Sequence, residues 1–178
     1  MSRISRVEFL RGNFQGERMP IRPPWAIDER EFVERCTRCD DCLKVCPEHI
    51  ITRGRGGFPA IDFSRAECTF CAACVDVCKA QALHMPYPDA DPATAWSNKA
   101  GIQPGCLAVN RIECRVCGEH CAVRAVRFHL SAGAVATPAI DLEVCNGCGA
   151  CVSSCPVGAV AVRVPRNDEF AGTSAALV

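Results

Sequence analysis

The spacing of the cysteines constrains this chain more than any other feature. Its 178 residues include sixteen cysteines, which fall into four groups of four. Three groups share one spacing, with two gaps of two residues followed by a gap of three: Cys36, Cys39, Cys42 and Cys46; Cys68, Cys71, Cys74 and Cys78; Cys145, Cys148, Cys151 and Cys155. The other group is irregular and consists of Cys106, Cys114, Cys117 and Cys121. Clustered cysteines in a chain without the marks of secretion indicate metal binding.

The regular spacing is the bacterial pattern that ligates [4Fe–4S] clusters. Pro47 and Pro156 follow the last cysteine in two of the runs, as that pattern also requires. Sixteen thiolates satisfy four clusters and leave no cysteine over. The sequence therefore predicts four [4Fe–4S] clusters in an α+β fold of two tandem ferredoxin-like modules, each with short hairpins and short helices wrapped around two clusters.

The ligand sets follow from a rule for two-cluster ferredoxins, in which the last cysteine of each run ligates the other cluster. Applied to the first two runs, the rule predicts one set of Cys36, Cys39, Cys42 and Cys78 and a second set of Cys68, Cys71, Cys74 and Cys46. For the later runs it predicts the sets Cys106, Cys114, Cys117 and Cys155, and Cys145, Cys148, Cys151 and Cys121. Spacing alone also permits one run per cluster.

The irregular group lacks a cysteine at the position that corresponds to Cys36, where the chain has Arg111. Cys106 lies five residues upstream of that position. We expect Cys106 to loop back and supply the missing ligand. The alternative is a bystander thiol beside a three-cysteine site, which would hold a [3Fe–4S] cluster.

Other uses of cysteine fit the chain less well. Zinc sites also use pairs of cysteines two residues apart, but three evenly spaced cysteines followed by a fourth are unusual for zinc. A secreted disulfide scaffold is disfavoured because the first twenty residues contain no apolar run typical of a signal peptide. No stretch of about 20 apolar residues predicts a membrane span. The chain has no Gly-rich phosphate loop and no arrangement typical of a nucleophilic enzyme, so we expect no enzymatic activity of its own.

The chain repeats itself, which predicts its division into modules. The sequence Pro-Ala-Ile-Asp occurs at residues 59–62 before Cys68 and again at 138–141 before Cys145. We expect hairpins at residues 50–62 and 125–140, and a short helix at 28–35. The predicted segments are an N-terminal extension at 1–35, a first module at 36–84, a proline-rich linker at 85–105 with one helical turn near 93–100, a second module at 106–164 and a tail at 165–178.

The formal net charge of zero, from 20 basic and 20 acidic residues, counts every cysteine as neutral. Sixteen ligating thiolates would outweigh the positive charge of four cluster cores, and a metal centre's own charge belongs in any electrostatic argument. The loaded protein would be negative near its clusters. This balance argues against nucleic acid as a partner.

Three features together resemble the NapF family, the ferredoxin-type proteins of the periplasmic nitrate reductase system. They are the lead-in Arg22-Pro23-Pro24-Trp25-Ala26, the displaced group that begins Cys106-Leu107-Ala108, and the run Ala125-Val126-Arg127-Phe128. The resemblance implies a cytoplasmic protein with four [4Fe–4S] clusters. It also implies a partner, the precursor of the molybdenum-containing catalytic subunit, on which the protein acts before export.

The family resemblance leaves more than one role open. The first is maturation of that subunit's iron–sulfur centre, and the alternative is an electron-transfer subunit that relays electrons to an oxidoreductase. An iron or redox sensor ranks last because the chain has no DNA-binding element. Residues 5–11 are similar to a twin-arginine export signal in which Val7 replaces the second arginine. No hydrophobic segment follows, so we expect it not to function in export. The N-terminal segment is then either a disordered lead-in or a docking element.

Overall fold

The computed structural model describes residues 20–86, 90–130 and 135–164. The chain divides into two compact units, Met1–Trp96 and Ser97–Val178. The twin-arginine-like segment at 5–11 and the predicted tail at 165–178 lie outside the described residues. The finer segment boundaries stay predictions.

The first unit is built from short elements around the first two cysteine runs. They are α1 (Glu29–Arg35), α2 (Asp41–Val45), β1 (Ile51–Arg53), β2 (Pro59–Ile61), α3 (Ala73–Asp76) and two 3₁₀ turns (Arg55–Gly57 and Pro92–Thr94). The predicted helix at 28–35 is confirmed: the carboxylate of Asp28 accepts a 2.9 Å hydrogen bond from the backbone N–H of Arg30 and caps the helix. β1 and β2 form the predicted antiparallel hairpin.

The second unit repeats this plan with longer strands. Its elements are β3 (Lys99–Ile102), α4 (Val116–Glu119), β4 (Val126–His129), β5 (Thr137–Ile140), α5 (Ala150–Ser153) and β6 (Val160–Arg163). β4 and β5 pair antiparallel, which confirms the second predicted hairpin. The turn expected between these two strands, at 131–133, lies outside the described residues.

A strand, β3, lies inside the segment predicted as a linker at 85–105, and the bounds of that segment stay a prediction. β3 pairs antiparallel with β6, from Lys99 opposite Arg163 to Ile102 opposite Val160. The expected helical turn near 93–100 is reduced to the 3₁₀ turn Pro92–Thr94. A strand of four residues is too short to show a clear alternation of apolar and polar residues, so the sequence does not identify it. Its partner strand also lies far along the chain.

The first unit closes in the same way, through a segment that the sequence assigned to the N-terminal extension. Ala26 forms an antiparallel bridge with Leu83. The N–H of His84 donates to the carbonyl oxygen of Trp25 at 2.8 Å, and the N–H of Ile27 donates to that of Ala82 at 3.2 Å. In each unit, the segment before the first cysteine therefore pairs with the segment after the last one.

The lead-in is anchored by a buried arginine. The Arg22 guanidinium pairs with both carboxylate oxygens of Glu29, at 2.7 and 2.9 Å, and donates to the Pro59 carbonyl oxygen at 2.9 Å. It also lies over the rings of Phe32, at 4.9 Å, and Phe58, at 5.5 Å. The lead-in is thus a packed part of the first unit.

Cysteine supplies much of the interior of the second unit. Three of the seven buried residues in its main core cluster are cysteines, and the others are small or medium aliphatic residues: Ala100, Cys117, Ala125, Val126, Cys145, Cys151 and Val160. An interior of this size buries little apolar surface, so small folds of this kind depend on bound metal for stability.

Candidate metal centres

Four cavities in the structure are each lined by four cysteines. Quartet I is Cys36, Cys39, Cys42 and Cys78; quartet II is Cys46, Cys68, Cys71 and Cys74; quartet III is Cys106, Cys114, Cys117 and Cys155; quartet IV is Cys121, Cys145, Cys148 and Cys151. Every quartet combines the first three cysteines of one run with the last cysteine of the other run in the same unit. The structure thus brings together the crossed sets and not the four cysteines of one run.

Short helices produce this crossing. The helices α2, α3, α4 and α5 carry the third cysteine of their runs, which are Cys42, Cys74, Cys117 and Cys151. The last cysteine of each run follows the end of the helix, where the backbone takes a new direction. A run of three cysteines can therefore surround one cavity while the last cysteine reaches the neighbouring one.

The two-residue spacers of the regular runs reverse the backbone by adopting left-handed conformations. The φ angle is positive at the second spacer residue, at Arg38 (59°), Phe70 (55°) and Gly147 (72°). It is positive again in the following spacer, at Asp40 (65°), Ala72 (60°) and Gly149 (88°). This conformation costs about 1–2 kcal/mol for a residue other than glycine. Such strain persists where the surrounding structure imposes it, which is typical of ligand-holding segments.

The irregular run departs from this pattern at Arg115, whose φ of −128° lies outside the left-handed region. The Arg115 guanidinium pairs with Glu113 at 2.8 Å and lies 5.1 Å from the centre of the Phe128 ring. The irregular run therefore has its own local geometry as well as its displaced cysteine.

Cys106 reaches its cavity through a compact turn. Its carbonyl oxygen accepts hydrogen bonds from the backbone N–H of Asn110, at 3.0 Å, and from the Asn110 side chain, at 2.9 Å. The N–H of Ile112 donates to the carbonyl oxygen of Leu107 at 2.9 Å. Cys106 is only 9% exposed and lies among the other cysteines of quartet III. The loop that the sequence predicts for Cys106 is present, and it places the thiol in the cavity.

Burial acts most strongly on the third cysteine of each run. It raises the pKa of the Cys42, Cys74 and Cys151 thiols to about 12 and that of Cys117 to about 11, and neighbouring cysteines raise these pKa values further. The neighbours that raise the pKa of Cys74 include Cys42 of quartet I. Those that raise the pKa of Cys151 include Cys117 of quartet III. The two quartets of each unit are therefore adjacent.

Backbone N–H groups point at several of the sulfur atoms. The N–H of Leu83 donates to Cys78 Sγ at 3.4 Å. The N–H groups of Ala125 and Ala159 donate at 3.2 Å to Cys121 and Cys155 respectively. Hydrogen bonds to sulfur favour the thiolate, and they are one of the factors that set the potential of an iron–sulfur cluster.

The chemistry of the donor set fits iron–sulfur clusters. Each cavity presents four thiols, the ligands that [4Fe–4S] clusters require. Within the part of the chain that the structure describes, no group of three or more His, Cys, Asp or Glu side chains is placed to hold a single metal ion.

Comparison with known proteins shows which family has this arrangement. The family model described as a 4Fe-4S dicluster domain matches residues 35–82 and again 110–159. The ferredoxin-type protein NapF of Haemophilus influenzae is 43% identical over 176 residues, which cover 93% of this chain and 97% of that protein. The chain belongs to the NapF family of ferredoxin-type proteins.

Other relatives show how far the similarity extends. NapF of Escherichia coli K12 is 39% identical over 156 residues, which cover 88% of this chain and 92% of that protein. The methylamine utilization ferredoxin-type protein MauM of Methylorubrum extorquens is 27% identical over 178 residues, covering 92% of this chain and 81% of that protein. The ferredoxin-type character is common to all three.

The two matches to the 4Fe-4S dicluster domain confirm two predictions from the sequence. Two dicluster domains with sixteen cysteines carry four [4Fe–4S] clusters. The predicted α+β fold of two tandem ferredoxin-like modules, with short helices and hairpins, is likewise confirmed. No helix in the described ranges has the length and apolar character to cross a membrane.

Proposed function

We propose that this NapF-family protein acts in the cytoplasm, in the maturation of the molybdenum-containing catalytic subunit of periplasmic nitrate reductase before that subunit is exported. The observation that carries the proposal is the 43% identity to NapF of Haemophilus influenzae along almost the whole of both chains. A match of that extent spans the positions of the lead-in and of Cys106 as well as those of the cysteine runs. In this role the protein is an assembly factor with no substrate chemistry of its own.

The ligand assignment is part of the same proposal: each quartet holds one [4Fe–4S] cluster. It is supported by the four cavities, each lined by one quartet. Cys106 completes quartet III, and it is supported there by its burial and by the turn around Asn110. The clusters supply one-electron chemistry. The protein supplies thiolates, N–H donors to sulfur and burial, which together set how easily each cluster is reduced.

The test uses a strain that lacks this protein and produces a tagged catalytic subunit. The subunit is isolated, its iron is counted, and nitrate reduction is measured with an artificial electron donor that bypasses the natural pathway. We expect normal amounts of a subunit that is poor in iron and remains inactive with the donor. Supplying the gene again should restore both the iron and the activity. A subunit with full iron content and full donor-dependent activity would contradict the maturation role.

A second candidate, electron relay to an oxidoreductase, is favoured by one observation. Quartets I and II are adjacent, and so are quartets III and IV. Adjacent clusters pass electrons readily between them. In this case the subunit from the same strain would contain its full iron, and the artificial donor would restore nitrate reduction.

A further inference from the structure

Quartet I is the most exposed of the four cysteine sets. Each of the other quartets contains two cysteines that are at most 9% exposed: Cys46 and Cys74, Cys106 and Cys117, Cys145 and Cys151. Quartet I contains none. Its Cys39 is exposed, as is Cys71 of quartet II. Electron transfer to a partner requires close approach, and quartet I, with one exposed cysteine and no buried one, offers it at the edge around Cys39.

Basic side chains surround this edge. Arg38 and Lys79 line the same cavity as the quartet, and both are exposed. Lys44 lies one turn along α2 and pairs with Asp41 at 3.0 Å. The pKa of the Asp41 carboxyl is lowered, most strongly by Lys44 and further by a hydrogen bond with Cys39 and by the charge of Lys79. Cys39 and Lys79 therefore both lie near this carboxylate.

The acidic residues at this edge are matched by cations. Asp41 pairs with Lys44, and Asp40 pairs with Arg53. Arg38 and Lys79 add positive charge to these balanced pairs. The side chains of the basic edge, defined as Arg38, Lys44 and Lys79 around Cys39, and their acidic partners therefore carry a net positive charge. This charge offsets the negative charge of the thiolate-ligated cluster beside them.

The second unit provides an internal comparison, because its runs align with those of the first. Arg38 corresponds to Glu113 and Lys44 corresponds to Glu119, at an offset of 75 residues that follows from aligning Cys39 with Cys114. Lys79 corresponds to Pro156, which follows Cys155 as Lys79 follows Cys78. The same fold thus carries cations at one quartet and carboxylates or proline at its counterpart. The charge of the basic edge is not a requirement of the fold.

We infer that the basic edge is the docking surface through which this protein receives electrons from a small acidic electron-transfer protein. An acidic surface is complementary to the basic edge, and complementary charge steers two proteins together and raises the association rate. The step is the transfer of one electron: the iron–sulfur centre of the acidic donor is oxidised by one electron and the cluster at quartet I is reduced by one. No bond forms or breaks, and no proton moves. The inference rests on the proposed cluster at quartet I and not on the maturation role.

The test follows electron transfer in the cluster-loaded, full-length protein. The probe is a reduced two-cluster bacterial ferredoxin of strongly acidic composition, mixed with the oxidised protein in a stopped-flow instrument under anaerobic conditions. The test variant is Lys44→Glu/Lys79→Glu, which reverses two charges of the basic edge. The control is Arg111→Glu/Arg124→Glu, which changes the net charge by the same amount at exposed positions of the second unit. Iron per chain is measured for each protein to establish that all four clusters are present.

We expect the test variant to slow second-order electron transfer at low salt by about tenfold or more. The control should change it by less than about twofold. Added salt should slow electron transfer to the unmodified protein and reduce the difference in rate between it and the test variant. The reason is that the Debye length falls to about 10 Å at 0.1 M ionic strength. An unchanged rate in the test variant would overturn the inference. Equal slowing in the control would also overturn it, since net charge alone would then account for the effect.

Discussion

The Nζ atom of Lys99 donates a 2.6 Å hydrogen bond to the backbone carbonyl oxygen of Cys145. Lys99 begins β3, and Cys145 is the first cysteine of the last run. Both groups are partly or fully buried, so the bond is charge-assisted and poorly screened by water. The strand that closes the second unit therefore also fixes the backbone of quartet IV.

Replacing Lys99 with methionine should loosen quartet IV. Methionine keeps the aliphatic stem and removes the donor, which leaves the Cys145 carbonyl oxygen without its cation. Hydrogen bonds to charged groups contribute about 1.5–3 kcal/mol, and we expect a loss of stability of that order. Thermal unfolding of the cluster-loaded protein, followed by circular dichroism without oxygen, measures it. The exposed Lys79→Met is the control, and equal unfolding temperatures for the two variants would contradict the prediction.

Lys99 also marks the limit of what the sequence could predict. Cysteine spacing is local, so the runs could be recognised from the chain alone, whereas the crossed sets were predicted from the rule for two-cluster ferredoxins. The pairing of β3 with β6 and the bond from Lys99 to Cys145 join positions that are far apart in sequence. A strand of four residues has no distinctive pattern, and proline-rich surroundings suggested a linker. The packing of Trp25 and Arg22 escaped prediction for the same reason.

Arg22 should be important for the stability of the first unit. Its side chain is 8% exposed and that of Glu29 is 12% exposed, so Arg22→Ala breaks a nearly buried ion pair from one side. Breaking a buried pair from one side costs about 3–5 kcal/mol. We expect this variant to unfold at lower temperature than the unmodified protein and to lose iron from the first unit, as measured by circular dichroism and iron analysis.

Two further variants separate charge from geometry at this site. Arg22→Lys keeps the positive charge but cannot form the two-pronged pair with Glu29, so an intermediate loss is expected. Arg22→Met/Glu29→Met should be milder than Arg22→Ala, because it removes the nearly buried carboxylate together with the guanidinium. A double variant that is less stable than Arg22→Ala would contradict this account of the pair.

Removing the Cys106 thiol tests whether it completes quartet III. In Cys106→Ala we expect iron to fall from about sixteen to about fifteen or fewer per chain. An electron paramagnetic resonance signal from a [3Fe–4S] cluster should accompany a loss of one iron. Alanine is smaller than cysteine, so the substitution removes the thiol without adding bulk to the cavity. A variant that retains four intact [4Fe–4S] clusters would show that Cys106 is a bystander.

Cluster retention should depend on pH in a direction that the thiol pKa values determine. Without clusters, burial holds the pKa of Cys42, Cys74 and Cys151 near about 12, so these thiols are protonated at neutral pH. Ligation requires thiolates, and the metal-free form therefore binds protons that the loaded form lacks. Lower pH favours the metal-free form. Iron release to a chelator, followed by loss of visible absorbance, should be faster at about pH 6 than at about pH 8; release that is slower at the lower pH would contradict this.

The account depends most on the crossed quartets, and the number of intact [4Fe–4S] clusters in two double variants, counted by Mössbauer spectroscopy, tests them directly. Both variants lack Cys36. Cys36→Ala/Cys78→Ala removes two ligands from quartet I alone, so we expect about three intact [4Fe–4S] clusters per chain. Cys36→Ala/Cys46→Ala removes one ligand from each of quartets I and II, so we expect only about two intact clusters, whether the damaged sites lose one iron or all of their iron. The reverse order, with fewer intact clusters in the variant that lacks Cys36 and Cys78, would show that each run holds its own cluster.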